Sequence, residues 1–335
     1  MVINMIVKKI VGADKLALIT FLFLLLQSST LMPPPPITPI IPIKPIIAVK
    51  STIPVNPPPV LINSGIKGIY LSEATVEHTA LLEKIITQAK EVGINTFVAD
   101  VQYPSNRYAK NIALILANKI QYVARLIVFP GGGNPDEIKN TALLEKKYQL
   151  ADYAIGLGAH EIQLDYIRYK ASQNPSLQNI EDINKVIAGF KDRLVTKNIR
   201  LQTDVFGITS FRPSTGIGQN IHSIANYANS VVPMLYPSHF KPYKTHSAHP
   251  YETITDALIA LKKQFNNEVP INIYAYIETY NYHYPHMSSS ERVQYIQKEL
   301  QAVQDSKING WYAWSANNRY DYLFEAMKNH AIITG

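Results

Sequence analysis

Cysteine is missing from all 335 residues of the chain. Disulfides, thiolate nucleophiles and cysteine-ligated zinc are therefore excluded, as is a lipid anchor on a cysteine. Charged residues are also few, at 17%, whereas hydrophobic residues make up 47%. This composition excludes a disordered or coiled-coil chain and allows a large buried core. A chain of this length forms one large domain or two small ones.

The net charge of +7 is modest and unevenly placed. Five lysines and one aspartate before residue 65 supply +4 of it, so the remaining chain is close to neutral. The sequence has no arginine-rich helix and no basic stripe, which are the usual marks of a nucleic-acid-binding domain. We therefore expect no nucleic-acid partner.

The first 63 residues differ in composition from the rest. Residues 1–30 begin with lysines and continue into an apolar run at 16–26, which is short against the roughly twenty residues of a membrane span. This pattern predicts export, through a cleaved signal peptide or an uncleaved anchor that tethers the protein to a membrane; a buried helix is the alternative. Residues 31–63 hold about half of the 22 prolines. Such a density favours polyproline II and predicts a spacer, or alternatively a docking motif for a proline-binding partner.

From residue 64 to 335, apolar runs alternate with amphipathic helical patterns. Strands are expected at 66–71, 96–101, 122–129, 161–169, 200–207, 231–236, 271–278 and 310–315. Helices are expected at 76–92, 111–120, 141–157, 180–197, 221–229, 251–265, 289–306 and 322–329. Eight strand–helix units in about 270 residues predict an α/β fold, the (β/α)₈ TIM barrel. An open doubly wound sheet is the alternative, but no glycine-rich phosphate loop follows the first strand.

Two neighbouring strands each end in an aspartate. The fourth strand delivers Asp165 and the fifth delivers Asp204. In a barrel, the carboxyl ends of the strands form the active face, so these acids should meet there. Glycoside cleavage uses two carboxylates, one as acid/base and the other as nucleophile or base. We expect Asp165 to be the ionised nucleophile or base, kept charged by Arg168, and Asp204 to be the protonated general acid.

Acids, amides and aromatics follow the other strands, and such groups suit a sugar, whose ring stacks on aromatics and whose hydroxyls bind polar groups. The expected substrate-binding or orienting residues are Asp100, Arg125, Tyr166, Arg168, Tyr236, His239, Glu278 and Trp314. Asp100 could instead only orient Arg125, and Glu278 could be a solvated loop edge. The histidines at 239, 246 and 249 fit no standard zinc pattern, so we expect no metal and no cofactor. A metal-dependent hydrolase would need His239 to converge with two further ligands.

The stretch EIQLDYIRY at 161–169 resembles the EIQFDYIRFP signature of the DUF4015 family of bacterial, glycoside-hydrolase-like barrel domains. TDVFG at 203–207, IGQ at 217–219, PMLYPSH at 233–239 and HPYETI at 249–254 are similar to its ADVFG, IGQ, PMVYPSHY and NPYETI elements. ADV at 99–101 and ARLIVF at 124–129 resemble its IDVK and ARIVVF. The resemblance covers most of residues 66–320 in order. It implies a barrel related to the α-amylase type, with the strand-four aspartate as nucleophile.

The chain departs from the family pattern at several positions of the rim. Tyr169-Lys170 stands where the family has Phe-Pro, and Gln102 where it has lysine. These differences predict a different substrate choice. We therefore expect an exported glycosidase, periplasmic, in the cell envelope or extracellular, that cleaves a polysaccharide or oligosaccharide by a two-carboxylate mechanism. The alternative is a non-catalytic polysaccharide-binding barrel of the cell envelope.

Overall fold

The structure is a computed structural model that describes residues 65–284 and 286–334. It contains a closed barrel of eight parallel strands in sequence order. The strands are β1 (Ile66–Leu71), β2 (Thr96–Asp100), β3 (Gln121–Ile127), β4 (Glu161–Asp165), β5 (Arg200–Phe206), β6 (Ser230–Met234), β7 (Asn272–Glu278) and β8 (Gly310–Trp314). β8 pairs with β1, which closes the barrel. The predicted (β/α)₈ barrel is confirmed, while the predictions for residues 1–63 lie outside the described residues.

Helices connect the strands and cover the outside of the barrel. They are α1 (Glu73–Glu77), α2 (Thr79–Glu91), α3 (Asn106–Ala117), α4 (Pro135–Ile138), α5 (Thr141–Gly156), α6 (Leu177–Val195), α7 (Ile221–Ile224), α8 (Tyr243–Ala248), α9 (Pro250–Lys263), α10 (Ser289–Asp305) and α11 (Asp321–Thr334). Short 3₁₀ turns at Gly207–Ser210 and Pro237–His239 follow β5 and β6. Polar caps fix several helix starts; at α10, Ser288 and Glu291 form a reciprocal capping box. Among the helices of the described residues, none combines the length and apolarity needed to cross a membrane.

The predicted elements differ from the observed ones mainly at strand ends and in loops. The fourth strand was expected to continue to residue 169, but it ends at Asp165 because Tyr166 adopts a left-handed backbone with φ 52°. The helix expected at 76–92 is divided at His78, whose ring accepts a hydrogen bond from the Leu81 N–H and so caps α2. The short helices α4 and α8 were not predicted, since each is shorter than the window over which helical periodicity is visible.

Inward-facing side chains fill the barrel in layers, as in other TIM barrels. Below the carboxyl-end layer lies a polar layer in which Gln163 donates to Gln202 at 2.8 Å and accepts from the Tyr276 hydroxyl at 3.0 Å. Gln202 also donates to Glu161 at 2.7 Å and lies 2.9 Å from the Tyr312 hydroxyl. Side chains on a strand alternate between its two faces, so Gln163 and Gln202 share their inward face with the residues two positions later. Those residues are Asp165 and Asp204.

Candidate active site

The inward positions at the ends of β2 to β5 carry one cation and three acids: Asp100, Arg125, Asp165 and Asp204. All four side chains are buried. The Arg125 guanidinium forms ion pairs with Asp100 through Nη1 and with Asp165 through Nη2, and its Nε lies 3.8 Å from Oδ2 of Asp204. The two predicted catalytic acids therefore face one another across a single guanidinium.

Asp100 orients Arg125, which is the alternative role expected for it. One of its carboxylate oxygens pairs with Arg125, and the other accepts a hydrogen bond from the Tyr70 hydroxyl at 2.6 Å. Burial raises the pKa of Asp100, while the charge of Arg125 lowers it. The Tyr70 ring also stacks on Trp314 at 4.0 Å between centroids, and the Arg125 guanidinium lies about 5 Å from both ring centroids. Arg125 is thus fixed by two acids and two aromatic rings.

Asp165 and Asp204 sit in different environments. Burial raises the pKa of Asp204 well above its ordinary value, the charge of Asp165 raises it further, and Arg125 only partly opposes this. Oδ1 of Asp204 has no hydrogen-bond partner within the described residues. Asp165, by contrast, accepts from Arg125 with one oxygen and from the Tyr166 backbone N–H with the other. The arrangement favours a protonated Asp204 beside a charge-compensated Asp165.

The backbone directly after Asp165 is strained. Tyr166 has a φ of 52°, a left-handed conformation that non-glycine residues adopt at a cost on the order of 1–3 kcal/mol. This conformation ends β4 and points the Tyr166 N–H at the Asp165 carboxylate. Strained residues of this kind cluster at functional sites. No sequence signal marks this one, because tyrosine is a common strand residue.

Arg168 forms no ion pair with Asp165 within the described residues, although the charge of Asp165 opposes the lowering of the Arg168 pKa by burial. Its predicted role beside that acid stays a prediction. Its guanidinium donates to the Tyr169 carbonyl at 3.0 Å and lies over the rings of Tyr166 and Phe206, 5.6 and 5.1 Å from their centroids. The strand β4 ends before Arg168, at Asp165, and Arg168 lies in the wall of the cavity described below. The partner of Asp165 is Arg125, from the neighbouring strand.

A cavity of about 660 Å³ opens above the charged cluster. Of the predicted site residues, those that line it are Arg125, Asp165, Tyr166, Arg168, Asp204, Tyr236, His239 and Trp314. Asp165 and Asp204 are the two carboxylates in this lining. Asp100 and Glu278 lie outside it. The structure therefore brings together both predicted catalytic residues and six of the eight predicted binding residues.

Glu278 supports the site from behind the cavity wall. It is fully buried, so the alternative of a solvated loop edge is wrong. Its carboxylate accepts from the N–H and hydroxyl of Ser238, at 3.0 and 2.6 Å, and from the Tyr295 hydroxyl at 2.7 Å. These bonds hold the 3₁₀ turn that carries His239. Burial raises the pKa of Glu278 to about 7, and the same cause raises that of the neighbouring Glu299 well above its ordinary value.

The loops supply lining residues that sequence reasoning did not select. Beyond the strand ends, the cavity is lined by Ile208, Arg212, Phe240, Lys241 and Tyr243. These positions lie in loops past the strand ends, where no periodic pattern indicates which way a side chain points. In the part of the chain that the structure describes, no group of three or more His, Cys, Asp or Glu side chains could hold a metal ion.

Comparison with known families agrees with this geometry. The DUF4015 family model, described as "Putative glycosyl hydrolase domain", matches residues 137–320. The chain belongs to the DUF4015 family. The matched range includes β4 to β8 and therefore both aspartates of the cavity. The family and the barrel together support a glycosidase whose substrate is a polysaccharide or oligosaccharide. No curated protein matches the sequence of this DUF4015 chain.

Several solved structures are similar in fold to this DUF4015 chain. The spore cortex-lytic enzyme SleL of Bacillus cereus has a TM-score of 0.57 and 13% identity, over 79% of this chain and 74% of that one. The endo-β-1,4-mannanase of Thermotoga petrophila has a TM-score of 0.56 and 11% identity, over 81% and 77%. The chitinase of Chromobacterium violaceum has a TM-score of 0.55 and 11% identity, over 80% and 99%. At these identities the likeness shows the shared fold.

Proposed function

We propose that this DUF4015 chain is an exported glycosidase that cleaves a polysaccharide with Asp204 as general acid and Asp165 as nucleophile or base. One observation carries the mechanism: two aspartates on neighbouring strand ends line one cavity and share one guanidinium, and burial with the charge of Asp165 raises the pKa of Asp204. When the environment separates the pKa values of two carboxyl groups, one site can supply an acid and a base at the same pH.

The first step starts from a protonated Asp204. Asp204 donates its proton to the glycosidic oxygen, and the leaving group departs as an alcohol. The anomeric carbon is then attacked by the Asp165 carboxylate, or by a water whose proton Asp165 takes. Asp204 becomes an anion in this step, and the Arg125 Nε at 3.8 Å stabilises its new charge. In the covalent route, water later releases the sugar and returns a proton to Asp204.

The cavity wall supports a sugar substrate. Trp314, Tyr236 and Tyr282 give it aromatic surface, and the Tyr282 side chain is 64% exposed. Tyr282 also stacks on His239, with 5.3 Å between ring centroids, so both rings form one platform. Aromatic platforms of this kind bury the apolar faces of sugar rings, while the Nε2 of His239, 3.5 Å from the Tyr280 hydroxyl, adds a polar group beside them. The chitinase and mannanase of similar fold are named for polysaccharides, which supports the same substrate class here.

The mechanism is tested with Asp165→Asn and Asp204→Asn, assayed on chitin, β-mannan, spore cortex and other glycans by release of reducing ends. We expect each variant to lose on the order of 10²–10⁴-fold in kcat, because each removes a proton-transfer or nucleophilic group. Asp152→Asn is the control, since Asp152 lies on α5 and pairs with Arg193 and Lys197 away from the cavity.

A nitrophenyl glycoside separates the two roles. Its leaving group needs no proton, so it should restore turnover to Asp204→Asn and leave Asp165→Asn inactive. Full activity in a folded variant removes that residue from the mechanism. A wild-type chain that binds glycans without turnover, and keeps binding them in both variants, is a polysaccharide-binding barrel instead.

Export is proposed from the basic start and apolar run of residues 1–30, followed by the proline-rich spacer. Cell fractionation with N-terminal sequencing tests it. A mature chain that begins after residue 26 indicates a cleaved signal, and an intact N-terminus in the membrane fraction indicates an anchor. A full-length chain confined to the soluble cytoplasmic fraction contradicts export.

A further inference from the structure

Three cations line the cavity in addition to the buried Arg125. They are Arg168 after β4, Arg212 after the 3₁₀ turn that follows β5, and Lys241 after the 3₁₀ turn that follows β6. Because β4, β5 and β6 are neighbours in the barrel, these side chains come from one side of the cavity. Arg212 and Lys241 are exposed, and Arg168 is half-buried. We call this side, formed by Arg168, Arg212 and Lys241, the cationic wall.

The positive charges of the cationic wall are not held in ion pairs within the described residues. Within the described residues, none of its three side chains forms an ion pair with an aspartate or glutamate. Arg168 donates to a backbone carbonyl and lies over Phe206, and Lys241 lies over Tyr243. Burial lowers the pKa of Arg168, since water is removed from its charged form, and the charge of Asp165 opposes this only partly. An anion bound at this wall would compensate charges that the protein leaves unpaired.

Packing holds the like charges on the same wall. Phe211 of the loop after β5 and Phe240 of the loop after β6 meet edge to face, with 6.2 Å between their ring centroids. Each ring adjoins one of the exposed cations, because Phe211 precedes Arg212 and Phe240 precedes Lys241. A side chain at Gly207 would collide with the Phe240 ring, so glycine there permits this packing. The contact between the two rings thus joins the loops that carry Arg212 and Lys241.

The opposite side of the cavity differs in charge. It is formed by Tyr280 and Tyr282 after β7 and by Trp314 at the end of β8, and these side chains are uncharged. The complete lining holds four cations against Asp165 and Asp204, of which Asp204 favours its neutral form. The cavity is therefore electropositive, with its free positive charge on the β4–β6 side and the uncharged rings of Tyr280, Tyr282 and Trp314 on the β7–β8 side.

We infer that the substrate is an acidic glycan that places an anionic substituent against the cationic wall while a neighbouring sugar ring stacks on the opposite aromatic side. This inference rests on the proposed function, because it names the substrate class of the same cavity. The Arg212 guanidinium can bind a sugar carboxylate through two parallel hydrogen bonds, and Lys241 adds a point charge beside it. A neutral glycan would occupy the cavity and leave these cations unpaired.

The test measures calorimetric binding of the full-length chain to matched pairs of glycans. Oligomers of alginate, polygalacturonate and hyaluronan are each compared with their carboxyl-reduced, neutral derivatives, and dextran sulfate with dextran shows whether a sulfate serves as well. We expect at least one charged member to bind about tenfold more tightly than its neutral partner at low salt, with the ratio falling at about 1 M salt. Arg212→Gln with Lys241→Gln should reduce the ratio to about twofold or less.

Lys84→Gln with Lys110→Gln is the matched control. These exposed lysines lie on α2 and α3, outside the cavity, and their replacement changes the net charge by the same amount. The control should keep the preference for the charged member. A preference that persists in the double variant of the wall, equal affinity for charged and neutral members, or no binding of any charged member overturns the inference.

Turnover separates this inference from the proposed function. Cleavage of neutral glycans that Asp165→Asn abolishes, without a preference for charge, sustains the function and overturns the acidic substrate. Preferential binding of a charged glycan that no condition cleaves overturns the function and sustains the anionic ligand class.

Discussion

Replacing Arg125 by glutamine removes the cation that holds three buried acids together. Arg125 is 3% exposed, and its guanidinium pairs with Asp100 and Asp165 and lies 3.8 Å from Asp204. Removing one partner of a buried ion pair lowers the free energy of unfolding by about 3–5 kcal/mol, because the remaining charge is left in a medium of low polarity. Since Asp204 favours its neutral form, two carboxylates bear most of this cost. We expect Arg125→Gln to lower the free energy of unfolding by about 3–5 kcal/mol near pH 8.

The loss should shrink as the pH falls. Burial already raises the pKa of Asp100 while Arg125 opposes the rise, so removing Arg125 raises the pKa further. The folded variant then holds protons that the unfolded chain releases, and its stability decreases as the pH rises. At about pH 5 a protonated Asp100 needs no cation, so the penalty should fall toward roughly 1–2 kcal/mol. Urea unfolding of the full-length chain at both pH values measures the difference.

Arg193→Gln provides the matched control. Arg193 pairs with Asp152 at 2.6 Å, but its side chain is 33% exposed, so its loss should cost about 1 kcal/mol or less at either pH. A penalty for Arg125→Gln as small as that of Arg193→Gln, or one that does not change between the two pH values, would refute the account of the buried cluster.

Two further predictions concern the cavity wall. Burial raises the pKa of Glu278 to about 7 and also raises that of Glu299, so both side chains favour their protonated forms. The free energy of unfolding should therefore fall as the pH rises from about 5 to 8, and Glu299→Gln should make this fall less steep in urea unfolding. A slope that the substitution leaves unchanged contradicts this prediction. Tyr282→Ala should weaken glycan binding by about 1 kcal/mol in calorimetry and change stability by less than about 0.5 kcal/mol, because the ring is 64% exposed. Tyr284→Ala is its control, outside the cavity lining, and an equal loss of binding there contradicts a specific platform.

The barrel and its two central acids could be predicted because they depend on regular patterns. Eight alternations of strand and helix define the fold, and strand periodicity places Asp165 and Asp204 on the inward face at the carboxyl end. The parallel barrel then brings neighbouring strand ends together, whichever side chains they carry. This is why Arg125, two strands from Asp204 in the sheet, could be selected for the site from its position alone.

The partners within the cluster could not be predicted. Sequence proximity suggested Arg168 for Asp165, but the pairing depends on the left-handed turn at Tyr166 and on the register of β3 against β4, in which Arg125 lies opposite Gln163. Neither the left-handed turn nor the strand register can be predicted from the pattern of residues. Periodicity cannot predict loop positions such as Arg212, since packing between loops sets the direction of their side chains.

The geometry of a single guanidinium explains how two similar acids acquire different roles. Arg125 gives Asp165 a full ion pair through Nη2, whereas Asp204 receives only the Nε edge at 3.8 Å. A charge at hydrogen-bond distance stabilises an anion far more than one held farther away, so the guanidinium only partly opposes the rise in the pKa of Asp204. The negative charge of Asp165 then raises the pKa of Asp204. Asp100 is needed for this asymmetry, because it binds Nη1 and fixes the guanidinium in the orientation that presents Nη2 to one acid and Nε to the other.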